Sequence, residues 1–146
     1  MMNNFEDDKS FGEEVQRRFA KTLVNKGFII DFMAEGDFPD WDIKLTNGKT
    51  YEIKADRKAQ ETGNLFIETS FKGDCSGLTG TRADYFVIIV NDFALIARTE
   101  DVMRFILSHP YTCRAVYGSG DDGNSVGFLV KETFYKPKNL QVFELV

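Results

Sequence analysis

Apolar residues recur every four positions early in the chain, at Phe11, Val15, Phe19 and Leu23, and Ala20 and Val24 widen the stripe. This spacing predicts an amphipathic helix. Ser10 suits its N-cap, Glu13 occupies the capping-box position three residues on, and Gly27 suits its end. Residues 1–9 read as a flexible acidic lead-in. The period then drops to two. Residues 28–33 (FIIDFM), 41–46 (WDIKLT) and 50–55 (TYEIKA) read as three strands, with AEGDFPD a loop and TNGK a turn between them. A polar loop around 57–63 precedes a fourth strand over 65–71. The glycine-rich GDCSGLTG must turn, and a short helix fits Thr79 to Ala83. YFVIIV at 85–90 is a buried strand and FALIAR at 93–98 its hairpin partner. Thr99 is placed to cap a helix over 100–108, where Glu100 and Asp101 suit the first turn and Pro110 the end. Short strands near 112–117, 126–131 and 141–145 follow, with GSGDDGNS a loop between the first two. This order predicts an α/β or α+β fold: one domain over 10–146, built on a single mixed central sheet flanked by helices.

Composition narrows the function classes. A chain of 146 residues with 42% hydrophobic content and 14 Phe builds an apolar core without disulfide or metal staples. Cys75 and Cys113 lack zinc-site spacing. The longest apolar run, 85–97, is broken by Asn91 and Asp92, and the acidic start lacks the layout of a signal peptide. The expectation is a soluble, cytoplasmic protein with no membrane partner. The formal net charge of -5, from 18 Lys+Arg against 23 Asp+Glu, argues against a long electrostatic footprint on nucleic acid. It leaves room for a small basic patch beside a carboxylate cluster neutralised by a cation.

The stretch from Asp40 to Lys54 carries the candidate chemistry. Asp42 opens an alternating strand, and Glu52 and Lys54 share one face of the next, with Ile43, Leu45, Tyr51 and Ile53 on the other. A two-residue turn at Asn47–Gly48 would point the two acids to opposite faces. A three-residue loop, Thr46–Asn47–Gly48, sets Asp42 opposite Glu52, and it needs positive φ in its third place, which glycine accepts. That register is the expectation. Two adjacent carboxylates repel each other, and a divalent cation between them removes the repulsion. Oxygen ligands suit Mg²⁺ or Mn²⁺, with the Ile53 carbonyl near enough to help. Lys54 is placed to steer an attacking water or balance a phosphate. The same alternation also describes an ordinary solvated sheet face.

At these residues the sequence resembles the PD-(D/E)xK nuclease superfamily. The likeness runs from about Phe11 to Val90 and is strongest in Pro39-Asp40-Trp41-Asp42-Ile43 and in Tyr51-Glu52-Ile53-Lys54-Ala55-Asp56. The run from Gly63 to Phe86 resembles small phage and bacterial members, some near Holliday-junction resolvases. The resemblance implies a restriction-endonuclease-like core: one helix, a three-stranded meander, a second helix and a further strand. It implies Mg-dependent (or Mn-dependent) cleavage of DNA by an endonuclease or junction resolvase, with Asp42, Glu52 and Ile53 on the metal and Lys54 catalytic. A homodimer for cutting paired strands, in a bacterial cell or phage-infected host, goes with it. The alternative is a degenerate module that binds nucleic acid or protein without cutting. Pro39-Asp40 spells the motif literally, but Asp42 begins the regular strand and is preferred, with Asp40 behind it. Many relatives place a Glu on the first helix, eleven residues before its terminal glycine. Here that position is Gln16. At 100° per residue Gln16 faces the sheet, Glu13 lies at the edge of the stripe and Glu14 points to solvent. Gln16 is therefore expected near the acid pair, with Glu13 in reach as a substitute.

Other residues carry two readings each. Glu68, Ser70 and Lys72 alternate along the fourth strand and would rim the cleft if it paired beside Glu52; a solvated face is the alternative. Thr81 and Arg82 follow a glycine-rich turn and are candidate substrate contacts. Arg57 and Lys58 are candidate phosphate contacts or ordinary surface charge. Trp41 falls on the apolar parity and reads as core, and His109 as a helix-end cation. Gly118 to Gly123 lacks a following G-K-[ST], so no phosphate loop is indicated.

Overall fold

The computed structural model describes residues 4–35, 40–118 and 123–146. Pro39, most of the loop before Asp40 and the middle of the GSGDDGNS segment lie outside them. The first helix, α1, spans Asn4–Asn25. It begins earlier than expected and takes in most of the acidic segment, so Ser10 lies within the helix and does not cap it. No Gly or Pro separates Asn4 from Ser10, and a helix already anchored downstream propagates through such residues. Its C-terminal end is the expected one. Gly27 adopts φ 97°. The Phe28 N–H donates to Leu23 O at 3.1 Å and the Gly27 N–H to Val24 O at 3.0 Å, the paired bonds of a Schellman stop.

Strands β1 (Ile30–Met33), β2 (Ile43–Leu45) and β3 (Thr50–Ala55) form an antiparallel meander. A parallel partner for β3 requires a crossover. Here it consists of the one-turn helix α2 (Ala59–Thr62), strands β4 (Asn64–Phe71) and β5 (Asp74–Cys75), and a tight turn. The chain then enters β6 (Tyr85–Val90), hydrogen-bonded parallel to β3, and returns in β7 (Phe93–Arg98). After α3 (Thr99–Ser108) come β8 (Arg114–Tyr117), β9 (Ser125–Lys131) and β10 (Gln141–Glu144).

Two sheets result, where one was expected. The six-stranded sheet has the order β1-β2-β3-β6-β7-β10 and is mixed; the four-stranded sheet, β5-β4-β9-β8, is antiparallel throughout. Because β6 occupies the inner edge of β3, β4 pairs with β9 instead. Alternation in a sequence marks a strand but not its neighbour. The short helix expected from Thr79 to Ala83 is absent: residues 77–80 turn, with Gly77 at φ 54°. A Cβ on Gly77 would overlap the Glu68 carbonyl, so the turn closes against β4 only with glycine there.

The six-stranded sheet is covered on both faces. Val15, Phe19 and Leu23 of α1 pack on Ile43, Leu45, Tyr51, Val87 and Ile89. On the other face, Phe86, Ile88 and Val90 meet Leu65, Ile67 and Val130 of the second sheet and Val102, Phe105 and Ile106 of α3. β6 is therefore buried from Phe86 to Val90, as its unbroken apolar run predicts. The fold is a mixed α/β arrangement with a central mixed sheet flanked by helices. Thr99 does not cap α3. Its hydroxyl donates to the Ala83 carbonyl at 2.7 Å, and the N-cap residue is Arg98. Among the described residues, no helix is long and apolar enough to cross a membrane.

Candidate functional site

The β2–β3 hairpin has the expected register. Ile43 faces Tyr51 and Lys44 faces Thr50. The loop closes with the Leu45 N–H donating to Lys49 O and the Gly48 N–H to Leu45 O, at 2.9 and 3.0 Å, with Gly48 at φ 90°. The ladder stops at Ile43. One residue earlier the Asp42 N–H already donates to Tyr51 O at 2.8 Å, and the strands part. The parting leaves the outward-facing backbone of Ile53 without a strand neighbour. Asp42 fills that place: its Oδ2 accepts the Ile53 N–H at 2.7 Å. The Asp56 N–H donates to Ile89 O, so by alternation the backbone groups of Glu52 and Lys54 also point toward β6. The Ile53 carbonyl therefore points to the side that β2 vacates, beside the Asp42 carboxylate.

Glu52 is 9% exposed and hydrogen-bonded to the Asp42 side chain. Burial first, and then the neighbouring Asp42 carboxyl, push its own carboxyl up to about 8, against the opposing influence of the Lys54 charge and of Thr81. Without a cation, the pair holds a proton at neutral pH. Thr81 reaches the pair from the crossover loop. Its hydroxyl donates to the Asp40 carbonyl at 3.2 Å and accepts the Ala83 N–H at 3.1 Å. Asp40 is tied to the same loop: its carbonyl accepts the Arg82 N–H at 3.1 Å, and its carboxylate lies 3.7 Å from the Arg82 guanidinium. Glu52 thus pairs with Asp42, while Asp40 braces the loop that carries Thr81.

Asp42, Glu52, Ile53, Lys54 and Thr81 are brought together, with Asp40 bonded to Thr81 behind them; the remaining candidates are not. Asp42, Glu52 and Lys54 project from the face opposite Tyr51, and α1 packs on the Tyr51 face. Gln16 does face the sheet, but from behind the pair. Its amide donates to the Ala34 carbonyl at 3.3 Å, and the Ala34 N–H donates to Asp42 O at 2.7 Å, so its link to the site runs through the backbone. Glu13 is exposed, and Glu14, exposed too, pairs with Arg17 at 3.1 Å. Glu68, Ser70 and Lys72 do not lie beside Glu52, since β4 belongs to the second sheet. Glu68 accepts the Ser76 hydroxyl at 2.8 Å; Lys72 has φ 50° and donates its N–H to Asn124 O. The Arg57 guanidinium stands 5.0 Å from the Phe11 ring centre. Trp41 is half-buried outside both core clusters, with the Lys44 amine 5.6 Å from its ring. The His109 Nδ1 lies 2.8 Å from Phe105 O at the end of α3, as its helix-end reading implies.

Asp56 is the residue that sequence reasoning passed over. Its carboxylate accepts the Ala59 N–H at 3.1 Å and the Phe66 N–H at 2.8 Å, joining the end of β3 to α2 and β4. Burial raises its carboxyl above the ordinary range, and the two N–H donors oppose that shift. The available signal was an Asp followed three residues later by a short helix, the turn-forming Asx pattern.

The chain matches no protein-family model, and no curated protein matches it. Among the described residues, no three His, Cys, Asp or Glu side chains come together as a metal cluster.

Proposed function

We propose that the chain is a Mg²⁺- or Mn²⁺-dependent deoxyribonuclease, an endonuclease or junction resolvase with a restriction-endonuclease-like core. The observation that carries this reading is the carboxyl pair of buried Glu52 and half-buried Asp42 at the point where β2 and β3 part. Such a pair must hold a proton or a cation. Asp42, Glu52 and the Ile53 carbonyl offer hard oxygen donors of the kind those ions prefer. A bound cation would polarise a phosphodiester and lower the pKa of a water.

The chain's own residues account for the rest. Asp42 is oriented by the Ile53 N–H, which leaves its second oxygen for the cation. Thr81 stands beside Glu52 on the crossover loop, its hydroxyl donated to the Asp40 carbonyl. Lys54, on the same face, is placed to orient water or balance phosphate charge. Gln16 positions Asp42 through Ala34. The meander followed by a strand parallel to β3 agrees with the resemblance. The crossover departs from it, being made mainly of β4 and β5 where a helix is implied.

One observation favours a second reading, a module that binds nucleic acid or protein without cutting: among the described residues, no third acidic side chain joins the pair. A cleavage assay over duplex, flap, junction and single-stranded DNA, with Mg²⁺, Mn²⁺ or chelator, separates the two. Metal-dependent cleavage should fall at least about 100-fold in Asp42→Asn, Glu52→Gln and Lys54→Met. Only the first two should lose Mn²⁺ affinity in calorimetry. Binding without cleavage in the wild type selects the second reading.

A further inference from the structure

A groove of about 450 Å³ lies between the C-terminal half of α1 and β1, lined by Arg17, Ala20, Lys21, Val24, Ile30 and Met33 among others. One wall is the edge of a sheet, since β1 pairs only with β2. The Thr46 N–H donates to Ile29 O at 2.9 Å, which turns the Ile29 carbonyl toward β2. The Ile30 N–H belongs to the same trans peptide unit and therefore points the other way. The Ala34 N–H donates to Asp42 O on the β2 side, so the Met33 carbonyl points outward by the same rule. Neither outward group has a partner among the described residues, and the side chains of both residues line the groove.

The other wall is α1, where Arg17, Lys21 and Val24 follow at helical steps along one ridge. Gln16 bonds to Ala34 just past β1, so helix and strand run antiparallel. The two bases therefore stand toward the Met33 end of the groove, and Val24, 52% exposed, toward the Ile30 end. Among the described residues, no Asp or Glu side chain lines the groove. Lys21 has no acidic partner among them, and Arg17 meets Glu14 in an exposed pair that a competing carboxylate displaces at little cost.

From this we infer that the groove takes an extended peptide of another protein, which adds a strand to β1 and presents carboxylates to the bases and apolar side chains to Val24 and Ile30. Strand addition draws affinity from the edge backbone and specificity from alternate side chains. The Ile30 N–H and the Met33 carbonyl are the donor and acceptor it requires. Alternate residues of a strand stand about 6.8 Å apart, and Arg17 and Lys21 about 6 Å apart along the helix axis. Two carboxylates two positions apart in the peptide thus reach one base each, and the next groove-facing residue meets Val24. A helical occupant would leave both outward backbone groups of β1 without partners. The site lies on the α1 side of the sheet, away from the Asp42–Glu52 pair, and does not depend on nuclease activity.

Fluorescence anisotropy with the full chain tests the assignment. The probe is the labelled peptide Glu-Thr-Glu-Thr-Val-Thr-Val, whose glutamates and valines fall on one face of a strand. It should bind saturably. Arg17→Glu with Lys21→Glu should weaken binding at least about tenfold. Circular dichroism should be unchanged, because both positions are exposed. The same peptide with lysines in place of glutamates should prefer that variant to the wild type. N-methylation of one alternate set of peptide amides should weaken binding at least about tenfold and of the other set should not, as addition at a single edge requires. The inference is overturned by no saturable binding, by equal affinity for wild type and variant, by no exchange of preference, or by equal effects of the two methylated sets. Phosphatidylserine vesicles that bind the chain undiminished by the peptide, or a self-association that the peptide does not reverse, overturn it as well.

Discussion

Glu52 and Asp56 stand four residues apart, on β3 and just past its end, and burial raises both carboxyls. Their surroundings differ. Asp56 meets two backbone N–H groups, from Ala59 and Phe66, and each oxygen accepts one of them. Glu52 meets another carboxyl. A buried acid satisfied by backbone donors is a clasp between segments. A buried acid facing an acid carries an unmet demand that only a proton or a cation fills. A raised pKa alone therefore does not mark a reactive centre; the partner does.

The largest stability effect should come from breaking the clasp. Asp56→Ala leaves two N–H groups without their acceptor, each costing about 1–3 kcal/mol when buried. Urea denaturation should show that loss, with Mn²⁺ affinity unchanged in the fraction still folded. Glu52→Gln should do the opposite. It removes repulsion and needs no proton, so the apo protein should be as stable as the wild type or up to about 1 kcal/mol more so, while Mn²⁺ affinity collapses. Equal destabilisation by both changes would erase the distinction.

pH sharpens it further. Glu52 is raised from 4.5 to about 8. Between these values the unfolded chain has released the proton and the cation-free folded protein has not, so protons favour the fold. Stability should therefore decline as pH rises from about 4.5 to about 8, then level off. Glu52→Gln should remove most of that slope, leaving the smaller part due to Asp56, whose shift has the same sign. Mn²⁺ should bind more tightly as pH rises and release a proton below pH 8, measurable by calorimetry in buffers of different ionisation enthalpy. A wild-type slope equal to that of Glu52→Gln would contradict the shared-proton pair.

The smallest effect on metal affinity concerns the turn that sets the pair. A Cβ at Gly48 meets nothing within 4 Å, so Gly48→Ala should cost only the strain of φ 90°, about 1–2 kcal/mol. Metal affinity should hold if the register survives. A large loss of affinity would show that the loop governs the carboxyl geometry beyond setting the register.

Several features were legible because they are local. The stripe from Phe11 to Leu23 specified the buried face of α1, and Gly27 its stop. Thr46–Asn47–Gly48 specified the hairpin register, because only a three-residue loop with glycine third brings Asp42 and Glu52 to one face. The unbroken apolar run of β6 announced burial on both sides. Other features were not local. Glu68, Ser70 and Lys72 alternate as cleft residues would, yet β4 pairs with β9. Thr99 is a good capping residue, yet its hydroxyl serves the Ala83 carbonyl.

Periodicity, turn chemistry and the pairing of two acids across one hairpin can be read from the chain alone, because each depends on residues close to one another in it. Which strands share an edge, which face α1 covers and which donors reach a buried carboxylate follow from the packing of distant segments. Gln16 has the phase expected of it but lies behind the pair, because helix phase says which side faces the sheet and not which side of the sheet carries the acids. Asp56 became a clasp only when Phe66, ten residues away, arrived with an N–H to share. Those outcomes rest on contacts whose partners are far apart in the chain, and no local pattern encodes them.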